Sequence, residues 1–294
     1  MQVVVSVWDA LAIAAKTMTY AATLGAAGAV WFLRYCNARL SSAHRRRIRH
    51  IVLGLAALSV CGGAAQLLTS AGSMSGTAAG MLDESLLHLA WQAGAGRDNA
   101  IRAVGLLLAV VGALSDRPAW PALTGAALAA TSFAWTGHAR LLDAGVAPFL
   151  LGVHLLGAAF WLGALAPLLI VAGNGKGDVR RIAPVTARFG ALALYVVALM
   201  TAAALYLLSM MLGGAAQLWS SGYGRIVMLK LGFVAVLLCL AAFNKLQLTP
   251  RLLAGDAAAV RRLRISLRLE LTLGTLILGA TAALTTIAAP PVLD

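Results

Sequence analysis

A chain of 294 residues that is 61% hydrophobic and only 11% charged, with a mean hydropathy of +0.87, carries more apolar surface than a soluble domain of its size can bury. Composition therefore excludes a soluble globular domain and predicts an all-α polytopic membrane protein, a single transmembrane domain over residues 1–294. The formal charge of +13 would suggest nucleic acid in a soluble chain, but its distribution along this sequence accounts for it without such a partner.

Taken in order, eight apolar runs predict an eight-helix transmembrane bundle. Span 1 covers about 11–35 and precedes a basic loop from Arg39 to His50. Span 2 covers about 51–70. A polar, glycine-rich stretch over 71–99 follows, with one short amphipathic outer helix at about 81–91, where Leu82, Leu86 and Leu89 form the apolar stripe. Span 3 is about 100–114, and a tight Ser-Asp-Arg-Pro turn at 115–118 leads to span 4 at about 119–137. Span 5 is about 146–172, span 6 about 189–212, span 7 about 225–244 and span 8 about 265–289. The N-terminus carries Asp9 and lacks a basic n-region, so no cleavable signal peptide is expected. No internal repeat of fixed period is present, which argues against an inverted-repeat transporter. Cys36, Cys61 and Cys239 have no motif spacing, which argues against a disulfide framework and a zinc site.

With an even number of spans, both termini lie on one side. The loops of the opposite side hold 17 of the 23 basic residues. That side is cytoplasmic by the positive-inside rule, so both termini are expected in the periplasm of a bacterial inner membrane.

This orientation sorts the titratable and sulfur-bearing side chains. His154, eight residues into span 5, lies ~12 Å below the outer surface at 1.5 Å per residue. A histidine at that depth is a functional candidate by default, and a packing histidine bonded to a backbone carbonyl is the structural alternative. Trp161, two helical turns on, shares its face, and Gly157, Ala158 and Gly163 allow close helix approach there. His138 closes span 4 on the outer side, and His88 lies on the outer amphipathic piece. Met74, Met81, Met210 and Met211 fall on the same side. Thioether sulfur suits Cu(I), and imidazole suits either oxidation state of copper, so this set fits copper better than magnesium or calcium. His44 and His50, in the arginine-rich inner loop, read as solvated or lipid-facing.

About ten to twelve residues separate the end of span 4 from the deep part of span 5, so these helices are expected to be antiparallel neighbours. His138 at the mouth and His154 beneath it would then mark an entry path, with Trp161 and Gly163 as its floor. Two imidazoles hold copper weakly, and a span 6 methionine or His88 could supply a third ligand. Affinity should fall as the pH drops through about 6, because only neutral imidazole binds metal. Among the other intramembrane polar residues, Lys16 and Lys230 can snorkel toward the outer surface. Glu270 needs a partner, for which Asn244, Arg34 and Arg268 are candidates.

Over roughly residues 100–290 the chain resembles the copper resistance protein D (CopD) family of bacterial inner-membrane proteins. The resemblance rests on Gly137-His138, on the run from His154 through Trp161 to Gly163, and on Arg188-Phe189. It continues with Tyr223-Gly224-Arg225, Leu229-Lys230, Asn244-Lys245, Pro250-Arg251 and Arg268-Leu269-Glu270 with Gly274. It implies an eight-span protein that moves or hands over copper, Cu(I) or Cu(II), often beside a periplasmic copper-binding partner. Three functions remain open: a copper permease or delivery protein, a b-type cytochrome holding haem b between two deep histidines, and a docking partner of a periplasmic copper protein with no site of its own. An enzyme is not expected, because the chain has no phosphate loop, nucleophile motif or carboxylate cluster. The oligomeric state is not legible.

Overall fold

The computed structural model describes residues 6–115, 120–135, 145–173, 179–212, 214 and 216–288, and among these it contains helices and no strand. The long helices are α1 (Val7–Tyr35), α2 (Ser42–Ser75), α4 (Gly96–Leu114), α5 (Trp120–Thr131), α6 (Val146–Ala172), α7 (Val179–Leu212), α8 (Gly222–Phe243) and α9 (Ala257–Ile287). The short α3 (Glu84–Ala90) falls in the stretch expected to be amphipathic. Among the described residues five segments are long and apolar enough to cross a membrane: α2, α6, α7, α9, and α8 with its continuation to Leu253. With the apolar composition, they make this a multi-pass membrane protein.

The eight-run count is therefore only partly reproduced by length and hydropathy, and the reason is physical. Helix α1 is 29 residues long, but it runs through the middle of the molecule, packed on α2, α4, α5, α6 and α9. Its Thr19 and Thr23 are fully buried, with Thr23 bonded to Ser59 of α2 at 2.7 Å and Thr19 accepting from Gln66 at 2.6 Å. A helix shielded from lipid need not be uniformly apolar. Helix α4 likewise buries Asp98 and Arg102. Helix α5 has 12 residues before a 3-10 turn at Ser132–Ala134, roughly 18 Å of rise, which is less than a hydrocarbon core.

Helix ends follow local chemistry. Ser6 and Asp9 form a reciprocal capping box on α1. Ser41 caps α2 through the His44 amide. Most of the expected basic loop is consequently helical, because α2 begins at Ser42 and carries the arginines on its first turns. Gly76, with φ 70°, ends α2 in the left-handed region that favours glycine. Helix α8 passes through a π-turn at Asn244–Leu248 into Thr249–Leu253 before Gly255, at φ 87°, reverses the chain into α9.

Arginines of α1, α2 and α7 gather at one end of the molecule. There Arg34 of α1 donates to the carbonyls of Gly112 and Ser115 at the end of α4, and Arg188 of α7 lies 4.4 Å over the Tyr35 ring. At the opposite end, Lys16 donates to Thr285 O and Thr286 Oγ1, both at 2.9 Å, in the last turn of α9. The ammonium thus answers the negative end of that helix. Between the ends, Phe189 stacks on Phe160 at 5.2 Å and tilts against Phe32 at 6.2 Å, tying α7 to α6 and α1.

Candidate functional site

Helix α6 has the bounds expected for span 5, and it packs on α1, α5, α7 and α9. His154 is half-buried on its first half. Its Nδ1 lies 3.1 Å from the carbonyl oxygen of Met200 on α7. A carbonyl only accepts, so Nδ1 carries the proton and Nε2 keeps its lone pair. This is the arrangement by which proteins fix the tautomer of a metal-binding histidine, and it also satisfies a purely structural one.

Gly157, three residues further along α6, explains how α7 comes so close. A Cβ built there would lie 2.6 Å from Met200 Cβ and 3.1 Å from Met200 Sδ. The thioether of Met200 therefore rests against α6 within one turn of the imidazole. Lys230 of α8 lies within electrostatic reach of the same ring. Three helices thus bring an imidazole, a thioether and a lysine amine to one region, away from the arginine cluster of α1, α2 and α7.

Trp161 is buried in the core two turns beyond His154. Deeper still is Glu270 of α9, 2% exposed. Asn244 Nδ2 donates to its Oε1, so of the three partners considered for this carboxylate, Asn244 is the one that holds it. Gly163 has a different role. A Cβ on it would lie 2.6 Å from Gly28 Cα and from Leu24 O, so it marks the point where the backbones of α1 and α6 touch.

The remaining sequence candidates are dispersed. His88 is exposed on α3, its Nε2 paired with Gln92 at 2.7 Å. Met210 and Met211 pack beside Leu150 and Leu151 at the start of α6, and Met211 Sδ accepts from Tyr223 Oη at 3.2 Å. Eleven residues of α7 separate Met211 from Met200, about 16 Å of rise. They sit above His154 toward the helix end rather than beside it. His138 lies outside the described residues. Among the described residues no three His, Cys, Asp or Glu side chains come together as a ready metal cage.

Two features escaped the sequence reading. One is Met200, which sits in mid-helix with no motif to mark it; only the Gly157 notch on the facing helix gives it meaning. The other is a buried polar knot on α4. Arg102 donates to Ser132 Oγ at 3.1 Å and to Asn99 Oδ1 at 2.7 Å, and its guanidinium lies 4.1 Å above the Phe133 ring. Tyr20 meets that ring edge-on at 4.7 Å. The presence of Arg102 inside the otherwise apolar run of span 3 was the available signal.

Comparison with protein families now bears on the chain as a whole. The model of the copper resistance protein D-like N-terminal domain matches residues 7–148, and that of copper resistance protein D matches residues 183–284. The chain belongs to the copper resistance protein D family. Membership reaches further toward the N-terminus than the motifs at 100–290 indicate, and it brings α1 to α4 and His88 within the family's compass. Residues 149–182, which include His154, Trp161 and Gly163, fall between the two matched segments. No curated protein and no solved structure matches the chain. A copper-resistance role follows from the family.

Proposed function

We propose that this copper resistance protein takes copper at His154 and carries it across, or hands it on at, the bacterial inner membrane. The observation that carries the reading is the bond from Nδ1 of His154 to Met200 O, which leaves Nε2 as a fixed, unprotonated donor, with the Met200 sulfur against Gly157 within one turn along α6. Copper is the cargo here. It would be met by Nε2 of His154 and Sδ of Met200, with His138, His88, Met210 or Met211 completing the set nearer the mouth.

When protonated, Lys230 opposes a cation at this position. It makes the site one for brief occupancy and release, as a permease or a delivery protein needs, rather than one for storage. In the proposed topology all eight long helices cross or line the bilayer, and the arginine-rich end faces the cytoplasm. Both termini and the His154 end then face the periplasm, where a copper-binding partner would load or unload the site. The haem alternative needs two imidazoles at matching depth. Among the described residues His44 and His50 lie on the first turns of α2 at the arginine-rich end, and His88 is exposed on α3, so the copper reading is the better supported.

The test is His154→Ala in cells and in purified protein. Copper-dependent growth or uptake should be lost while membrane insertion and expression are kept, because alanine is well tolerated in a helix. Unchanged copper handling would favour a docking protein without a site of its own. A haem Soret band in purified protein would revive the cytochrome reading.

A further inference from the structure

The arginine-rich end contains a second feature unrelated to His154. A cavity of about 300 Å³ opens there between the last turns of α1, the start of α2 and the end of α4. Its polar lining is Arg34, Asn37, Arg45 and Arg49, and its apolar floor is Leu33 and Ala113. Arg34 is held by its Nη2, which donates to Gly112 O and Ser115 O, and its Nε is buried without a hydrogen-bond partner among the described residues. Arg45 is steadied by a 2.6 Å bond from Nη1 to Leu40 O. Two guanidinium groups are thus fixed by one edge each to backbone carbonyls, with further N–H groups on both forks.

Fixed arginines are costly to bring together unless an anion answers them. Arg34 and Arg45 are held by neutral carbonyls, which leave their positive charges in place. The cavity also sits where the basic residues gather, and a basic pocket between helix ends at that level is suited to a phosphate group.

We propose that this cavity is a binding site for a phosphate group, one that bridges Arg34, Arg45 and Arg49 and locks α1, α2 and α4 together at the cytoplasmic end. The phosphate can belong to an anionic lipid headgroup, with acyl chains lying along the bundle, or to free inorganic phosphate. The planar guanidinium fork selects for it through paired N–H···O bonds that an ammonium cannot make.

The test uses the full chain, delipidated and reconstituted in phosphatidylcholine nanodiscs. Its unfolding temperature is followed with phosphatidylglycerol at one lipid in four, or with millimolar inorganic phosphate. Phosphatidylglycerol should raise the midpoint by at least ~3 °C. The rise should vanish in R45Q/R49Q and persist in R46Q/R47Q, whose changes lie on the same helix outside the cavity. An equal rise with inorganic phosphate alone, with the same dependence on Arg45 and Arg49, would assign the site to the free anion. No rise with either, or the same rise in R45Q/R49Q as in wild type, would overturn the proposal. Should R45Q/R49Q fail to fold, native mass spectrometry of the wild-type protein decides: retained phosphatidylglycerol or phosphate adducts in excess over phosphatidylcholine support it, and their absence overturns it.

Discussion

At the scale of single residues, the chemistry depends on which atom each polar side chain has left free. His154 spends Nδ1 on Met200 O, so its chemistry is that of Nε2. Met200→Leu keeps the volume that fills the Gly157 notch but removes the sulfur. Cu(I) affinity should fall on the order of tenfold, about 1.4 kcal/mol, with the thermal midpoint little changed; competition titration against a chromogenic Cu(I) chelator measures it. Glu270 is the opposite case, a carboxylate whose partner is already in place. Glu270→Leu would strand the Asn244 amide and cost about 1–3 kcal/mol of stability, whereas Glu270→Gln keeps an acceptor oxygen for it and should cost less. Differential scanning calorimetry of the two variants separates these outcomes. The Glu270–Asn244 tie was legible in the sequence, because a buried carboxylate must find a partner and Asn244 lay at the matching helix end. Met200 was not, since a methionine in an apolar helix looks the same whether it fills space or offers a ligand.

At the scale of elements, α6 has the bounds expected of span 5, while α2, α7 and α9 begin eight to ten residues before the apolar runs of spans 2, 6 and 8. The sequence misled where a helix begins in polar territory. The arginines after Ser41 read as a loop because they are charged, yet a capped first turn carries them as helix. Apolarity also understated α1 and α4, whose polar residues are spent inside the protein. The α1–α6 crossing rests on Gly28 and Gly163, where each backbone occupies the space of the other's missing Cβ. Gly163→Leu should force these helices apart and destabilise the protein by about 1–3 kcal/mol or more, while Gly232→Leu on α8, where a Cβ meets nothing within 4 Å, should be nearly neutral. Thermal unfolding in one detergent compares the two. Gly157→Leu would strike the same kind of contact one turn from His154, and there the loss should appear in copper affinity as well.

For the whole molecule, the eight-span topology expected from the sequence puts 17 of 23 basic residues on one side, and the helix ends meet in the same sense: Arg34 and Arg188 at one end, Lys16 at the other. Reporter fusions should therefore place residues 254–264 in the cytoplasm and the C-terminus after Asp294 in the periplasm. A cytoplasmic C-terminus would reverse the side from which copper is taken. Family membership, over 7–148 and 183–284, ties this bundle to copper resistance. The assignment of copper to His154 rests on geometry in the stretch between those segments. The most direct measurement is the metal environment itself: X-ray absorption at the copper edge, with metal stoichiometry, on the full chain in nanodiscs. The account predicts copper with at least one imidazole nitrogen and one sulfur in wild type, loss of the sulfur in Met200→Leu, and loss of the bound copper in His154→Ala. Full stoichiometry and an unchanged spectrum in His154→Ala would contradict it.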